Sequence, residues 1–189
     1  MRALRFVALT SLLGCAPAPP AGTVFYASGA DLQSINPLLT IHPLAKQVQR
    51  HVLFLTLVRY DSLLRPEPYL AERWAFSPDR RTLTLEIRGD VRWHDGVPTT
   101  ARDAAFTLRA ARSPRTGYPR AADLSCLTDV EAPDARTLRL DFCRPQAELP
   151  DVLTDLAILP EHLLGALAPE SLRVAAFNER PVGNGPFRF

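Results

Sequence analysis

Lysine is all but missing from this sequence: Lys46 is the only one, so the 22 basic side chains are otherwise arginine. They are set against 20 acidic residues, leaving a formal net charge of +2 that Arg2 and Arg5 alone account for. No basic stripe remains to neutralise phosphates, which excludes nucleic acid as a partner. His42, His51, His94 and His162 never fall at a metal-ligand spacing, so no metal is assigned. Neither a G-x-S-x-G elbow nor a phosphate-cradling glycine loop occurs, and no paired acids or nucleophile accompany His94-Asp95-Gly96. No catalytic residue and no cofactor are therefore expected. No internal repeat is present, and no apolar run reaches the ~20 residues needed to span a bilayer.

Proline is abundant instead, with 18 spread along 189 residues. Proline breaks helix interiors and central strands, so short elements joined by many turns are expected rather than a helical bundle. An apolar share of 47% with 22% charged residues is ordinary for a globular chain and speaks against disorder.

The N-terminus reads MRALRFVALTSLLGC. Arg2 and Arg5 precede the short apolar stretch Phe6–Leu13, the pattern of a signal peptide over residues 1–14. Leu12-Leu13-Gly14-Cys15 resembles the lipobox of bacterial lipoproteins, which implies cleavage before Cys15 and lipidation of its thiol. A plain secretory signal with a chance cysteine is the competing reading. Residues 15–22 continue as Cys-Ala-Pro-Ala-Pro-Pro-Ala-Gly, a proline-rich tether. One lipidated cysteine would hold the chain at a membrane surface without a spanning helix.

Export changes how Cys126 and Cys143 are read. Leu138, Leu140 and Phe142 alternate with polar residues as in a half-buried strand, and 126–131 can pair with it across a Pro133-Asp134-Ala135 turn. That hairpin sets Cys126 opposite Cys143, close enough for a disulfide. Two buried free thiols are the alternative.

Further along the body, Thr23–Ser28 reads as a strand ending in a polar turn. Pro43 opens a helix with Leu44, Val48, Val52 and Leu55 on one face. Thr82–Arg88 alternates, directing Leu83, Leu85 and Ile87 to a core, and Trp74-Ala75-Phe76 pairs back across Ser77–Arg81. Beyond the Trp93–Gly96 turn, Thr100 caps a helix starting at Ala101, with Asp103 at the third position and Ala104, Ala105, Leu108 and Ala111 forming a close-packing face. Gln146–Leu153, Glu161–Leu167 and Pro169–Phe177 are expected as further short helices. This mixture points to an α/β or α+β architecture.

Three segments resemble the bacterial extracellular solute-binding proteins of family 5, which deliver peptides, nickel and related solutes to ABC importers. The most specific runs from Leu70-Ala71-Glu72-Arg73-Trp74 through Ser77-Pro78-Asp79, Arg88-Gly89-Asp90-Val91, Trp93-His94-Asp95-Gly96 and Pro98 to Thr100-Ala101-Arg102-Asp103 and Phe106. The others are Asp31–Pro37 and Pro181-Val182-Gly183-Asn184-Gly185-Pro186-Phe187, with Asn184 where the family usually has Thr.

The resemblance implies a periplasmic-binding-protein-like fold of type II with two lobes. Here it is expected to be incomplete: the first strand of lobe I plus the small mixed α/β subdomain. Residues 23–36 would start lobe I, 37–177 would form the subdomain, and 178–189 would return into lobe I, with the opposing lobe absent. The implied function is capture of an oligopeptide or similar small solute outside the inner membrane and delivery to the importer's permease subunits, in the periplasm or at the cell surface. A short exported lipoprotein with a structural or regulatory role, or a decayed gene fragment, is the alternative. His94-Asp95-Gly96 is mainly structural by the same resemblance. Ligand contacts are expected at Ser28, Gly29, Ala30 and Asp31, whose backbone can bond an extended peptide, and at Tyr118. Asp31 could equally cap a turn, and Tyr118 could equally be a half-buried loop aromatic.

Overall fold

The computed structural model describes residues 22–24, 28–29 and 32–189. The chain divides into residues 1–31 and the unit Leu32–Phe189. In the first, Gly22, Thr23, Val24, Ser28 and Gly29 are exposed and carry no strand, while the middle of the strand expected at Thr23–Ser28 lies outside the described residues.

The second unit is built on a four-stranded antiparallel sheet. Strands β1 (Val58–Tyr60) and β2 (Pro66–Pro68) first form a separate two-stranded ribbon. Then β3 (Ala71–Phe76), β4 (Thr82–Ile87), β5 (Leu127–Glu131) and β6 (Thr137–Phe142) assemble in the order β3-β4-β6-β5. The β3–β4 hairpin has the expected partners, Trp74 with Leu85 and Phe76 with Leu83. In the centre, Leu83 faces Leu140 and Leu85 faces Leu138, all essentially free of solvent contact. Burying each such side chain contributes ~1.5–3 kcal/mol before entropy is counted.

Helix α2 (Ala101–Arg112) covers β5 and β6. Its small face of Ala104, Ala105, Leu108 and Ala111 is buried as expected, which lets helix and sheet approach closely. Arg109 donates to the Val130 carbonyl at 2.6 and 3.0 Å, and Arg112 to those of Leu127 and Thr128 at 2.6 Å. These bonds satisfy backbone acceptors on the outermost strand of the sheet.

Cys126 and Cys143 are joined, with Sγ–Sγ 2.07 Å and Cα–Cα 5.0 Å. Leu127 pairs with Phe142 beside them, and a bulge at Thr128 then shifts the ladder by one, so that Asp129 pairs with Asp141.

Pro43 does sit in the first turn of α1 (Pro43–Val48), but the buried face differs from expectation. The helix passes into a π-helical turn, Gln49–Leu53, closed by the i→i+5 bond from Phe54 N–H to the Gln49 carbonyl at 2.9 Å. The buried face is offset by one residue from the first turn onward: Ala45, Gln49 and Leu53 are buried while Leu44, Val48 and Val52 are half-buried. Leu55 lies beyond the helix, in extended chain.

Of the expected short helices, α3 spans only Val152–Asp155, because Pro150 disfavours helix at Leu149. Helix α4 is Glu161–Leu164, Pro169–Val174 is a 3₁₀ helix of two turns, and Ala176–Asn178 is a single 3₁₀ turn. Among the described residues no helix is long and apolar enough to cross a membrane.

Candidate functional site

Of the expected ligand contacts, Ser28 and Gly29 are exposed, whereas Ala30 and Asp31, like the lipidation candidate Cys15, lie outside the described residues. Tyr118 belongs to the second unit and is only 3% exposed. Its hydroxyl is buried with no hydrogen-bond partner among the described residues, and burial, with the nearby Asp155 charge, pushes its pKa up to about 12. The side chain packs into the core, and no surface of it is offered to a ligand in this conformation.

Close to Tyr118 stands a polar cluster that sequence reasoning missed. The Asp155 carboxylate, at the end of α3, receives Lys46 Nζ at 2.9 Å, Arg120 Nη1 at 3.0 Å and Arg50 Nη1 at 3.3 Å. Four residues from three remote segments meet there, and no local pattern announces them. Burial works to raise the Asp155 pKa, but the hydrogen bond and charge of Lys46, with the charges of Arg50 and Arg120, hold it below the usual carboxylate value. Lys46 shows the opposite balance. Its burial outweighs what Asp155 returns, and its pKa is lowered. The pair is thus favourable for the carboxylate and costly for the ammonium, as expected when a compact, strongly hydrated charge is taken from water.

His94-Asp95-Gly96 forms a tight turn, with Gly96 at φ +92°. The Gly96 N–H donates to the Trp93 carbonyl and the Trp93 N–H to the Val97 carbonyl, each at 2.8 Å. His94 bonds to the chain's own backbone: its N–H donates to the Gly183 carbonyl at 2.7 Å, and its Nε2 lies 2.9 Å from the Gly185 carbonyl. Asp95 pairs with His162 Nε2 at 2.8 Å. Asn184 completes the strap, its Oδ1 accepting the Leu55 N–H at 2.9 Å. Both glycines are needed because backbone lies against them: a Cβ on Gly183 would stand 2.0 Å from the Leu53 carbonyl oxygen, and one on Gly185 2.6 Å from the Leu53 carbonyl carbon. The motif fastens residues 183–187 to the end of the π-helical turn. Among the described residues no group of three or more His, Cys, Asp or Glu is placed to hold a metal.

The fold and these turns define a class. Bacterial extracellular solute-binding proteins, family 5 (middle region), match residues 65–189, and the chain belongs to that family. Its mixed α/β architecture is that of part of a type II periplasmic-binding-protein fold. The chain is 36% identical over 186 residues to a Brucella ovis protein whose name gives it as an ABC transporter peptide-binding protein, covering 94% of this chain and 34% of that one. It is similar to the Campylobacter jejuni protein NikZ, solved with Ni(L-His), with TM-score 0.74 and 28% identity over 85% of this chain and 31% of that one. It is also similar to Haemophilus influenzae OppA, solved with the peptide RPPGFSPFR, with TM-score 0.74 and 29% identity over 85% and 34%. The chain spans about a third of the length of the curated relatives it matches. The family and these neighbours are substrate-binding proteins rather than enzymes.

Proposed function

We propose that the chain is part of the solute-binding component of an ABC import system, capturing peptides or a related small solute outside the inner membrane for delivery to the permease. The observation that carries this reading is the family match over residues 65–189, which takes in the whole four-stranded sheet, α2 and the His94–Gly185 strap. The names and ligands of the Brucella, Campylobacter and Haemophilus relatives point the same way.

Export as a lipoprotein, with residues 1–14 removed and Cys15 carrying the lipid, is the mode of anchoring that the leader and the proline-rich tether support. The joined Cys126 and Cys143 suit an oxidising compartment. Solute contact falls to the loop Ser28–Asp31, whose backbone would bond a peptide main chain. Tyr118 would reach a solute only after its loop opened. The reading is tested by deleting the gene in its host and measuring uptake of labelled oligopeptides and of nickel–histidine. Loss of uptake of one solute class, restored by complementation, is expected; unchanged uptake of every class would sink the reading. Labelling with radioactive palmitate, lost in Cys15→Ser, tests the anchor.

A further inference from the structure

Arg50 is the least satisfied of the three cations around Asp155. Lys46 also donates to the Asp155 backbone carbonyl at 3.3 Å, and Arg120 also pairs with Asp123 at 2.7 Å. Among the described residues Arg50 has one hydrogen bond, Nη1 to Asp155 Oδ1, and at 3.3 Å it is the longest of the three ion pairs. Its Nε is buried without a partner among the described residues. A guanidinium carries five N–H donors in a planar fork shaped for oxyanions, so most of this one's capacity is uncommitted.

The same side chain helps to form the wall of a cleft of about 610 Å³, beside His51. The other charges on that cleft are matched: Arg59 pairs with Glu67 at 2.5 Å, and Asp61 with Arg65 at 3.0 Å. Burial, and then the charge of Arg50, hold the His51 pKa below its ordinary value of 6.5, so at neutral pH its ring offers a neutral N–H. Arg50, which shares the one Asp155 carboxylate with two closer cations, is therefore the least compensated charge that the described residues present to the cleft, with a neutral donor next to it in sequence.

We propose that this cleft is an oxyanion subsite, in which Arg50 takes a carboxylate or phosphate group and His51 supplies a second donor. A neutral or cationic group gains nothing there, whereas an oxyanion completes the coordination that Asp155 leaves unfinished. The site lies wholly within Leu32–Phe189 and does not depend on the solute-capture reading.

The test is calorimetric titration of the full chain with trialanine, with trialanine amide and with inorganic phosphate. Saturable binding of the free acid or of phosphate, none of the amide, and a loss of about tenfold or more in Arg50→Gln with partial recovery in Arg50→Lys are expected. Binding of the acid without phosphate assigns the subsite to a carboxylate-bearing solute; binding of phosphate alone assigns it to the free ion. Equal binding of acid and amide, unaltered binding in Arg50→Gln, or no binding of either anion at millimolar concentration would overturn the proposal. Because Arg50→Gln also loosens the Asp155 cluster, phenylglyoxal labelling of the unmodified chain provides a second readout. Arg50, identified by mass spectrometry, should be protected by the anion that binds; absence of protection would count against the site.

Discussion

The carboxylate of Asp103 accepts the backbone N–H of Glu161 at 2.8 Å through Oδ1, while its Oδ2 accepts the N–H of Thr100 at 2.7 Å. One side chain, 4% exposed, thus closes the capping box of α2 and also holds the first residue of α4. Asp103→Ala leaves two backbone donors without acceptors and should cost about 2–4 kcal/mol in urea unfolding. Asp103→Asn keeps one acceptor oxygen and should lose roughly half as much. Equal stabilities for both variants and the parent would show that water replaces the carboxylate at no cost.

The strap at residues 183–185 is set by close approach. Gly185→Ala would place a Cβ 2.6–2.8 Å from the backbone of Val52, Leu53 and Phe54. That contact is with main chain that cannot swing away, so a destabilisation of about 2 kcal/mol or more is expected by denaturant titration. Gly89→Ala is the control: open space surrounds that position, and its stability should stay within about 0.5 kcal/mol of the parent.

Reduction of Cys126–Cys143 reopens a loop with a sequence separation of 17. The chain-entropy estimate for such a loop is about 3 kcal/mol. Unfolding with and without reductant should differ by that order, and the double variant Cys126→Ala/Cys143→Ala should be insensitive to reductant.

Asp155 contributes to the acid side of the stability profile. Its folded pKa lies below the ordinary 3.8, because Lys46, Arg50 and Arg120 overcome the opposing effect of burial. A carboxyl of this kind favours folding at pH values above its unfolded pKa. The contribution fades as pH falls from about 4 through the folded value. The parent should therefore lose stability below about pH 4 more steeply than Asp155→Asn.

The two ends of the Lys46–Asp155 pair should respond unequally at pH 7. Asp155→Asn leaves three cations facing one another and should cost about 3 kcal/mol. Lys46→Met removes a desolvated ammonium while Arg50 and Arg120 keep Asp155 paired, so it should change stability by less than about 1 kcal/mol. A larger loss in Lys46→Met than in Asp155→Asn would reverse this account of the cluster.

What the sequence determined by itself was local. The alternation of Leu83, Leu85 and Ile87, the Ser77–Arg81 turn, the Thr100–Asp103 cap and the small face of α2 each depend on residues within a few positions of one another. The opposition of Cys126 and Cys143 followed from the same period-two logic across one turn. The β1–β2 ribbon escaped because strands of three residues, one of them Pro-Glu-Pro, carry too few positions for a period to show. Only the tertiary structure decided that β4 lies against β6, about fifty residues on, with α2 threaded between them in sequence. It also decided that Tyr118 is buried, that Lys46, Arg50, Arg120 and Asp155 meet, and that Gly183-Asn184-Gly185 seals against Leu53–Leu55. Those outcomes rest on desolvation and pairing between distant segments, and neither quantity is carried by the spacing of neighbouring residues.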